Sequence, residues 1–326
     1  KVVDGALSGT RASFIGGCAA TSNTLAGKNF NIPVSGTMAH SWVMSFETEL
    51  EAFERFADLY PDNCILLVDT YDTIKSGIPN AIKIFSQLKH RENANLGIRL
   101  DSGDLDDLSR KARQMFNDAG LNQVKIYISS ELDELIIGEL LNKNCPIDAF
   151  GVGTKLITGN PDASLSGVYK LAAKFDKNED LVRPVIKISD ALEKRTNPGF
   201  KNVLRFYNAK NKMEADLIYL NSEEEKLIDK IENGKEIRLS HQFEGNENFW
   251  VEDYNFAEKL LKPVMVKGKI IQLEKSLTAM KQYKEDKIKS VPDKIKRFVN
   301  PHTYTVGLSD DLAMVKSKLV SQSQKK

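Results

Sequence analysis

The feature of this sequence that most restricts its fold is one pattern used four times. A short apolar run ends in polar residues and glycine, and a stretch with helical periodicity follows. "CILLVDTYDT", "LGIRLDSGD", "VKIYISSELD" and "DAFGVGTKL" are its four versions. The runs are continuously apolar and β-branched rather than alternating, as a strand buried on both faces of a parallel sheet requires. Asp69, Asp101, Ser129 and Gly153 at the ends of the runs lie 32, 28 and 24 residues apart, the length of a βα unit. Between them, Ile74 to Leu88, Leu105 to Ala119 and Leu132 to Leu141 read as helices. Four such units in series imply an α/β fold whose polar residues collect at the carboxyl ends of the strands, where parallel architectures gather their sites. The units share pattern and not residues, so this is no true repeat.

Ahead of the first strand, "SWVMSFETELEAFERFADLYP" spaces Trp42, Phe46, Leu50, Phe53, Phe56 and Tyr60 three or four apart. That spacing predicts one helix with a single buried stripe, ended by Pro61. After Gly167 the character changes: "GVYKLAAKF", "RPVIKIS", "NVLRFYNA" and "ADLIYLNS" are short β-like runs that suggest an antiparallel region closing or flanking a barrel. From about Ala257 the chain is lysine-rich and mostly helical in pattern, with a frayed end at "SQSQKK". Interleaved Glu and Asp make its lysines a solvated helix face rather than a binding stripe. The expected organisation is an α/β barrel core over 1–190, a β-rich closing region over 191–256 and a helical region over 257–326.

Charge narrows the function classes. The chain has 46 Lys+Arg against 45 Asp+Glu, a net charge of +1, and counterion release needs a concentrated basic surface, so no general nucleic-acid or membrane-surface role is expected. Cys18, Cys64 and Cys145 are odd in number and far apart, which gives neither a disulfide framework nor a CxxC motif. With no run of about 18 apolar residues and no signal peptide at "KVVDGALSG", a cytoplasmic location is expected. The chain opens on Lys1 as if within a folded region, and an N-terminal portion is expected to be absent from it.

Three strand ends carry candidate chemistry. In "GIRLDSGD", Arg99 sits within an apolar run, and a buried guanidinium needs an anion: either Asp101 internally or a substrate carboxylate or phosphate. In "FGVGTK", Gly153, Thr154 and Lys155 form either a phosphate cradle or a plain tight turn; the spacing is neither GxGxxG nor a Walker loop. In "LLVDTYDT", Asp69 and Asp72 reach the same end of the sheet. Asp72 reads as a helix cap, while carboxylates among phosphate-binding groups commonly hold Mg²⁺ through water. His40 in "VSGTMAHSWV" is the remaining candidate. An isolated histidine is more often structural than catalytic. Here Gly36 and Ala39 leave room beside the imidazole, Thr37 supplies a hydroxyl, and Ser41 sits where it could cap the following helix. His90, His241 and His302 have no comparable surroundings.

Taken in order, "GTMAHSW", "LLVDTYDT", "GIRLDSGD" and "FGVGT" resemble the nicotinate phosphoribosyltransferase family. The likeness extends to "DGALSGTRASFIGG", "SNTLAGKNFNIPVSGT", "VIKIS", "NPGFKNVLRF" and "NPHTYTVGLS", and so spans nearly the whole chain. The resemblance implies an irregular α/β barrel of the type II phosphoribosyltransferases, acting as a homodimer in NAD salvage. It implies an enzyme that joins nicotinate to 5-phosphoribosyl 1-diphosphate, giving nicotinate mononucleotide and diphosphate, with ATP as co-substrate and Mg²⁺ as cofactor. By the same resemblance His40 is the residue transiently phosphorylated by ATP, and Thr37 and Arg99 are the nicotinate contacts. Thr154 with Gly153 touches the phosphoribosyl phosphate, and Asp69, Ser41 and Asp101 line the pocket. Family members carry an N-terminal domain that supplies an aromatic residue and basic groups to the site, and it has no counterpart in this sequence. Alternative readings are a nicotinamide or quinolinate phosphoribosyltransferase, or a catalytically silent fragment that binds a partner or dimerises.

Overall fold

Each of the four apolar runs forms a strand, and the strands pair in sequence order. In the computed structural model, which describes residues 3–91, 93–164, 167–176, 181–189, 195–242, 248–271 and 276–324, the chain divides into two compact units, Lys1–Leu165 and Ser166–Lys326.

The first unit runs α1 (Val3–Gly16), α2 (Thr24–Phe30), α3 (His40–Met44), α4 (Glu49–Leu59), β1 (Asn63–Leu67), α5 (Ile78–Leu88), β2 (Asn95–Leu100), α6 (Leu105–Asp118), β3 (Lys125–Ser129), α7 (Glu134–Asn142), β4 (Ala149–Gly151) and α8 (Thr154–Thr158). The sheet is wholly parallel, in the order β1-β2-β3-β4. Leu66, Leu67, Ile98, Leu100, Ile126 and Ile128 are buried in it, packed with Phe53, Ile78, Phe85 and Phe116 of the helices. This is the expected α/β architecture. The sheet ends at β1 and β4 among the described residues, so the barrel is represented there by four parallel strands rather than by a closed ring.

Register sets the level of the strand ends. Leu67 pairs with Arg99, Arg99 with Tyr127, and Tyr127 with Ala149. Two residues beyond each partner stand Asp69, Asp101, Ser129 and Gly151, so the polar tips emerge at one height along the sheet edge.

The single helix predicted over residues 42–60 is instead two. The Ser45 N–H turns back to Trp42 and Val43, and the Thr48 hydroxyl accepts from the Glu51 N–H at 3.2 Å to start α4. A Thr-x-x-Glu sequence offers the backbone a new N-terminus, and here that local bond outweighs the continuous apolar stripe. The stripe still packs across the break, with Trp42 5.1 Å from Phe46 and 6.2 Å from Phe56 between ring centroids. As expected, Asp72 is a cap: its carboxylate accepts from the N–H groups of Ile74 and Lys75 at the start of a π-helical turn, Thr73–Gly77, that leads into α5.

The second unit is built from short strands: β5 (Ala173–Asp176), β6 (Leu181–Pro184), β7 (Lys201–Tyr207), β8 (Met213–Leu220), then α9 (Glu224–Glu232), β9 (Ile237–Leu239), β10 (Phe249–Val251), β11 (Phe256–Lys259), β12 (Met265–Val266), β13 (Lys269–Ile270), α10 (Leu277–Ser290), β14 (Thr305–Leu308) and α11 (Asp310–Gln324). Its main sheet has the order β11-β7-β8-β14, with β7 antiparallel to both neighbours and β14 parallel to β8. From Ala257 on, where the pattern reads as mostly helical, α10 and α11 are accompanied by β11, β14 and the hairpin β12–β13. Strands of two to four residues carry too little periodicity to be read locally, and pairing with β7 and β8 decides β11 and β14. No helix among the described residues is long and apolar enough to cross a membrane.

Candidate active site

The loop that leads to His40 is tied to the body of the first unit by backbone bonds. Thr21 donates to the Pro33 carbonyl and Ser35 donates to the Thr21 carbonyl, both at 3.0 Å. Met38 is buried, which leaves Thr37 and His40 facing the strand ends. Ala39 is the residue that precedes α3, and it offers no side-chain cap. Ser41, expected to cap that helix, is its exposed second residue. The chain enters the helix two residues earlier than the pattern suggests, and His40 itself occupies the first position.

Arg99 is held from three directions. Its Nε donates to Ser129 Oγ at 2.6 Å, Nη1 donates to Thr37 Oγ1 at 3.0 Å, and Nη2 donates to Asp101 Oδ1 at 2.7 Å. The Ser129 hydroxyl in turn donates to the same Asp101 oxygen. A guanidinium has five N–H donors, so these bonds leave two, one on each terminal nitrogen. Partial burial pushes the Asp101 carboxyl up, yet the Ser129 hydroxyl, the Arg99 bond and charge, and His40 together hold it below the usual carboxylate range.

His40 stands over the carboxylates. Its Nδ1 lies 3.0 Å from Thr70 Oγ1, and its Nε2 lies 3.7 Å from Asp101 Oδ2 and 4.0 Å from Asp69 Oδ1. The imidazole is 41% exposed, whereas the Asp69 side chain is 2% exposed. Asp69 Oδ2 accepts from the Asp101 N–H at 2.8 Å and from Ser102 Oγ at 2.7 Å. Its Oδ1 is buried and has no hydrogen-bond partner among the described residues.

Five of the predicted site residues therefore meet: Thr37, His40, Asp69, Arg99 and Asp101. Gly153 and Thr154 stand beyond β4, at the start of α8, and no hydrogen bond joins them to that cluster among the described residues. The sequence reading of Arg99 offered an internal partner or a ligand; the internal partners are present, and two donors remain besides. Ser129, Thr70 and Ser102 were not singled out as site residues. The signal that finds Ser129 is the register, which places its hydroxyl two residues past Tyr127, level with Asp101.

Such a cluster can bind an anion at Arg99, carry a phosphoryl group on an exposed imidazole nitrogen, and hold a hard cation at Asp69 and Asp101. Residues 6–217 match the profile described as the nicotinate phosphoribosyltransferase family, and residues 200–316 match that of its C-terminal domain. A nicotinate phosphoribosyltransferase of Bacillus subtilis (strain 168) is 41% identical over 310 residues, covering 95% of this chain and 61% of the relative. One from Caenorhabditis elegans is 29% identical, with 95% and 63% covered. The chain thus spans about three fifths of the length of these relatives. The crystal structure of human nicotinic acid phosphoribosyltransferase superposes with a TM-score of 0.78 at 24% identity, covering 98% of this chain and 68% of that one, a likeness of fold.

Proposed function

The chain belongs to the nicotinate phosphoribosyltransferase family, and on that premise we propose that it carries the site at which nicotinate is joined to 5-phosphoribosyl 1-diphosphate, giving nicotinate mononucleotide and diphosphate in NAD salvage. The observation that carries this reading is Arg99, fixed by Thr37, Ser129 and Asp101 with one N–H left on each terminal nitrogen. Those two donors suit a carboxylate taken as a bidentate pair, which a carboxamide cannot reproduce. Nicotinate is therefore preferred to nicotinamide.

Departure of diphosphate leaves positive charge on the ribose, and the chain meets that charge with the Asp69 and Asp101 carboxylates at the strand tips. Arg99 and Thr37 hold the pyridine ring by its carboxylate so that the ring nitrogen approaches the sugar carbon in line. Gly153 and Thr154, at the next strand end, are assigned to the phosphate of the phosphoribosyl group. The Asp69 Oδ1 that lacks a protein partner, with Asp101 Oδ2 nearby, fits Mg²⁺. No group of three His, Cys, Asp or Glu residues suited to a metal occurs among the described residues, so these two carboxylates would hold the ion together with non-protein oxygens. When bound, Mg²⁺ neutralises charge on the leaving diphosphate.

His40 is assigned to ATP coupling. A hydrogen bond donated by Nδ1–H to the Thr70 hydroxyl would leave the Nε2 lone pair free for phosphoryl transfer. Nε2 attacks the γ-phosphorus of ATP, the N–P bond forms and ADP leaves; water later hydrolyses the phosphohistidine. The whole enzyme is proposed to act as a homodimer in the cytoplasm. Transfer assays with nicotinate, nicotinamide and quinolinate test the reading: turnover of nicotinate alone is expected, and preference for either of the others overturns it.

A further inference from the structure

Two buried side-chain oxygens have no hydrogen-bond partner among the described residues: Asp69 Oδ1 in the site and Glu49 Oε1 outside it. Glu49 opens α4 and is 5% exposed. Its Oε2 accepts from the Ser76 hydroxyl and, at 3.0 Å, from Asn80 Nδ2, which also lies 3.3 Å from Ser76 Oγ. No cation pairs with this carboxylate among the described residues. A carboxylate removed from water without a counter-charge is destabilising, so packing alone would favour an apolar residue here. The acid is explained by what it holds.

Ser76 belongs to the π-helical turn Thr73–Gly77, a geometry found often at functional sites. The N–H groups of Ser76 and Gly77 both return to the Asp72 carbonyl, at 3.0 and 2.9 Å. Gly77 is pressed on the end of β1 so closely that a Cβ there would overlap the Val68 carbonyl. Val68 directly precedes Asp69 and Thr70, the residues that face Nε2 and Nδ1 of His40. On its other side, Glu49 follows the His40 helix by a four-residue connection, 45–48. One carboxylate thus joins the segment that follows His40 to the turn that backs two of His40's three neighbours, Asp69 and Thr70.

We propose that Glu49 is a positioning residue: through Ser76 it clamps the π-helical turn against Val68 and so fixes Asp69 and Thr70 relative to the His40 imidazole. The inference rests on the function proposed above for its kinetic consequences. Its geometric content does not depend on turnover.

The test uses the full chain with Glu49→Ala, Glu49→Gln and Ser76→Ala, measured by nicotinate turnover and by ¹⁵N NMR of the His40 ring. Misplacement of reacting groups by about 1 Å costs up to about 100-fold, so kcat in Glu49→Ala is expected to fall about 10- to 100-fold. KM for nicotinate should stay within about threefold, because Arg99 and Thr37 do not depend on the turn. Ser76→Ala should move kcat in the same direction by less. Glu49→Gln keeps size and an acceptor and should recover most of the loss. The His40 ring signals should shift in Glu49→Ala and return in Glu49→Gln. If Glu49→Ala lowers Tm but leaves both kcat per folded molecule and the His40 signals at wild-type values, the residue is structural only and the proposal is overturned. Should Glu49→Ala fail to fold, Ser76→Ala decides by the same two readouts. Absence of nicotinate turnover in the wild-type chain would defeat the proposed function, while the His40 spectra would still decide the role of Glu49.

Discussion

The two units use the same polar residues to opposite ends. In the second, Arg205 pairs with both oxygens of Asp216 at 2.8 Å, and Tyr304 donates to that carboxylate at 2.8 Å. Glu223 accepts from the Leu220 N–H at 2.8 Å and from Ser309 Oγ at 2.6 Å, and Tyr207, Lys287 and Glu258 close a third cluster. Among the described residues every buried side-chain oxygen without a partner lies in the first unit: Asp69 Oδ1 and Glu49 Oε1. Saturated networks hold a fold together, whereas a network left open at a strand end has capacity for a ligand.

Breaking one network in each unit tests that contrast, and the largest effect should come from Arg99. Arg99→Ala removes the carboxylate anchor and leaves Asp101 without its cation; nicotinate kcat/KM should fall about 1,000-fold or more, a loss of about 4 kcal/mol, with a smaller loss of stability than in the second unit because this pair is the more exposed. Steady-state kinetics beside a thermal melt would show it. In the second unit the signs reverse. Arg205→Met strands Asp216 in a part-buried setting and should cost about 2 kcal/mol of stability, discounted from the 3–5 of a fully buried pair. Activity per folded molecule should hold, as denaturant unfolding with an activity assay would establish.

Ser129→Ala sharpens the comparison within the site. The hydroxyl is both an acceptor for Arg99 and a donor to Asp101, so its loss should raise KM for nicotinate about tenfold, about 1.4 kcal/mol. A pH effect accompanies it. The Asp101 carboxyl is held low in the folded chain, so its contribution to stability is present above the ordinary carboxylate value and is lost as pH falls through the folded value. Ser129→Ala should raise that folded value and shrink the acid-dependent part of stability, measured by unfolding at stepped pH. The smallest effect is expected at Thr48→Ala, where loss of the α4 cap should cost about 1 kcal/mol without altering KM.

Much of the first unit was legible because its strands are continuous apolar runs and its caps are local. Asp72 and the four strand tips needed nothing beyond neighbouring residues. The break between α3 and α4, and with it the place of Ser41, is masked in the sequence by a six-residue apolar stripe that runs across one Thr-x-x-Glu cap. Ser129 is legible as a strand end but not as a partner of Arg99: only the register of β2 against β3 brings the two together. The short strands β11 and β14 are decided by partners distant in sequence. His40 and Arg99 stood out because a charged or titratable residue beside small or apolar neighbours demands a partner, although which partner only the fold could supply.

The central claim is that His40, above the strand-end carboxylates, accepts a phosphoryl group. Incubation of the chain with γ-³²P-labelled ATP, followed by mapping of the modified peptide, tests it directly. The account predicts acid-labile label on His40 that disappears in His40→Ala while ATP-independent transfer persists. Label on another residue, or none on a chain that still couples ATP hydrolysis to transfer, would contradict it.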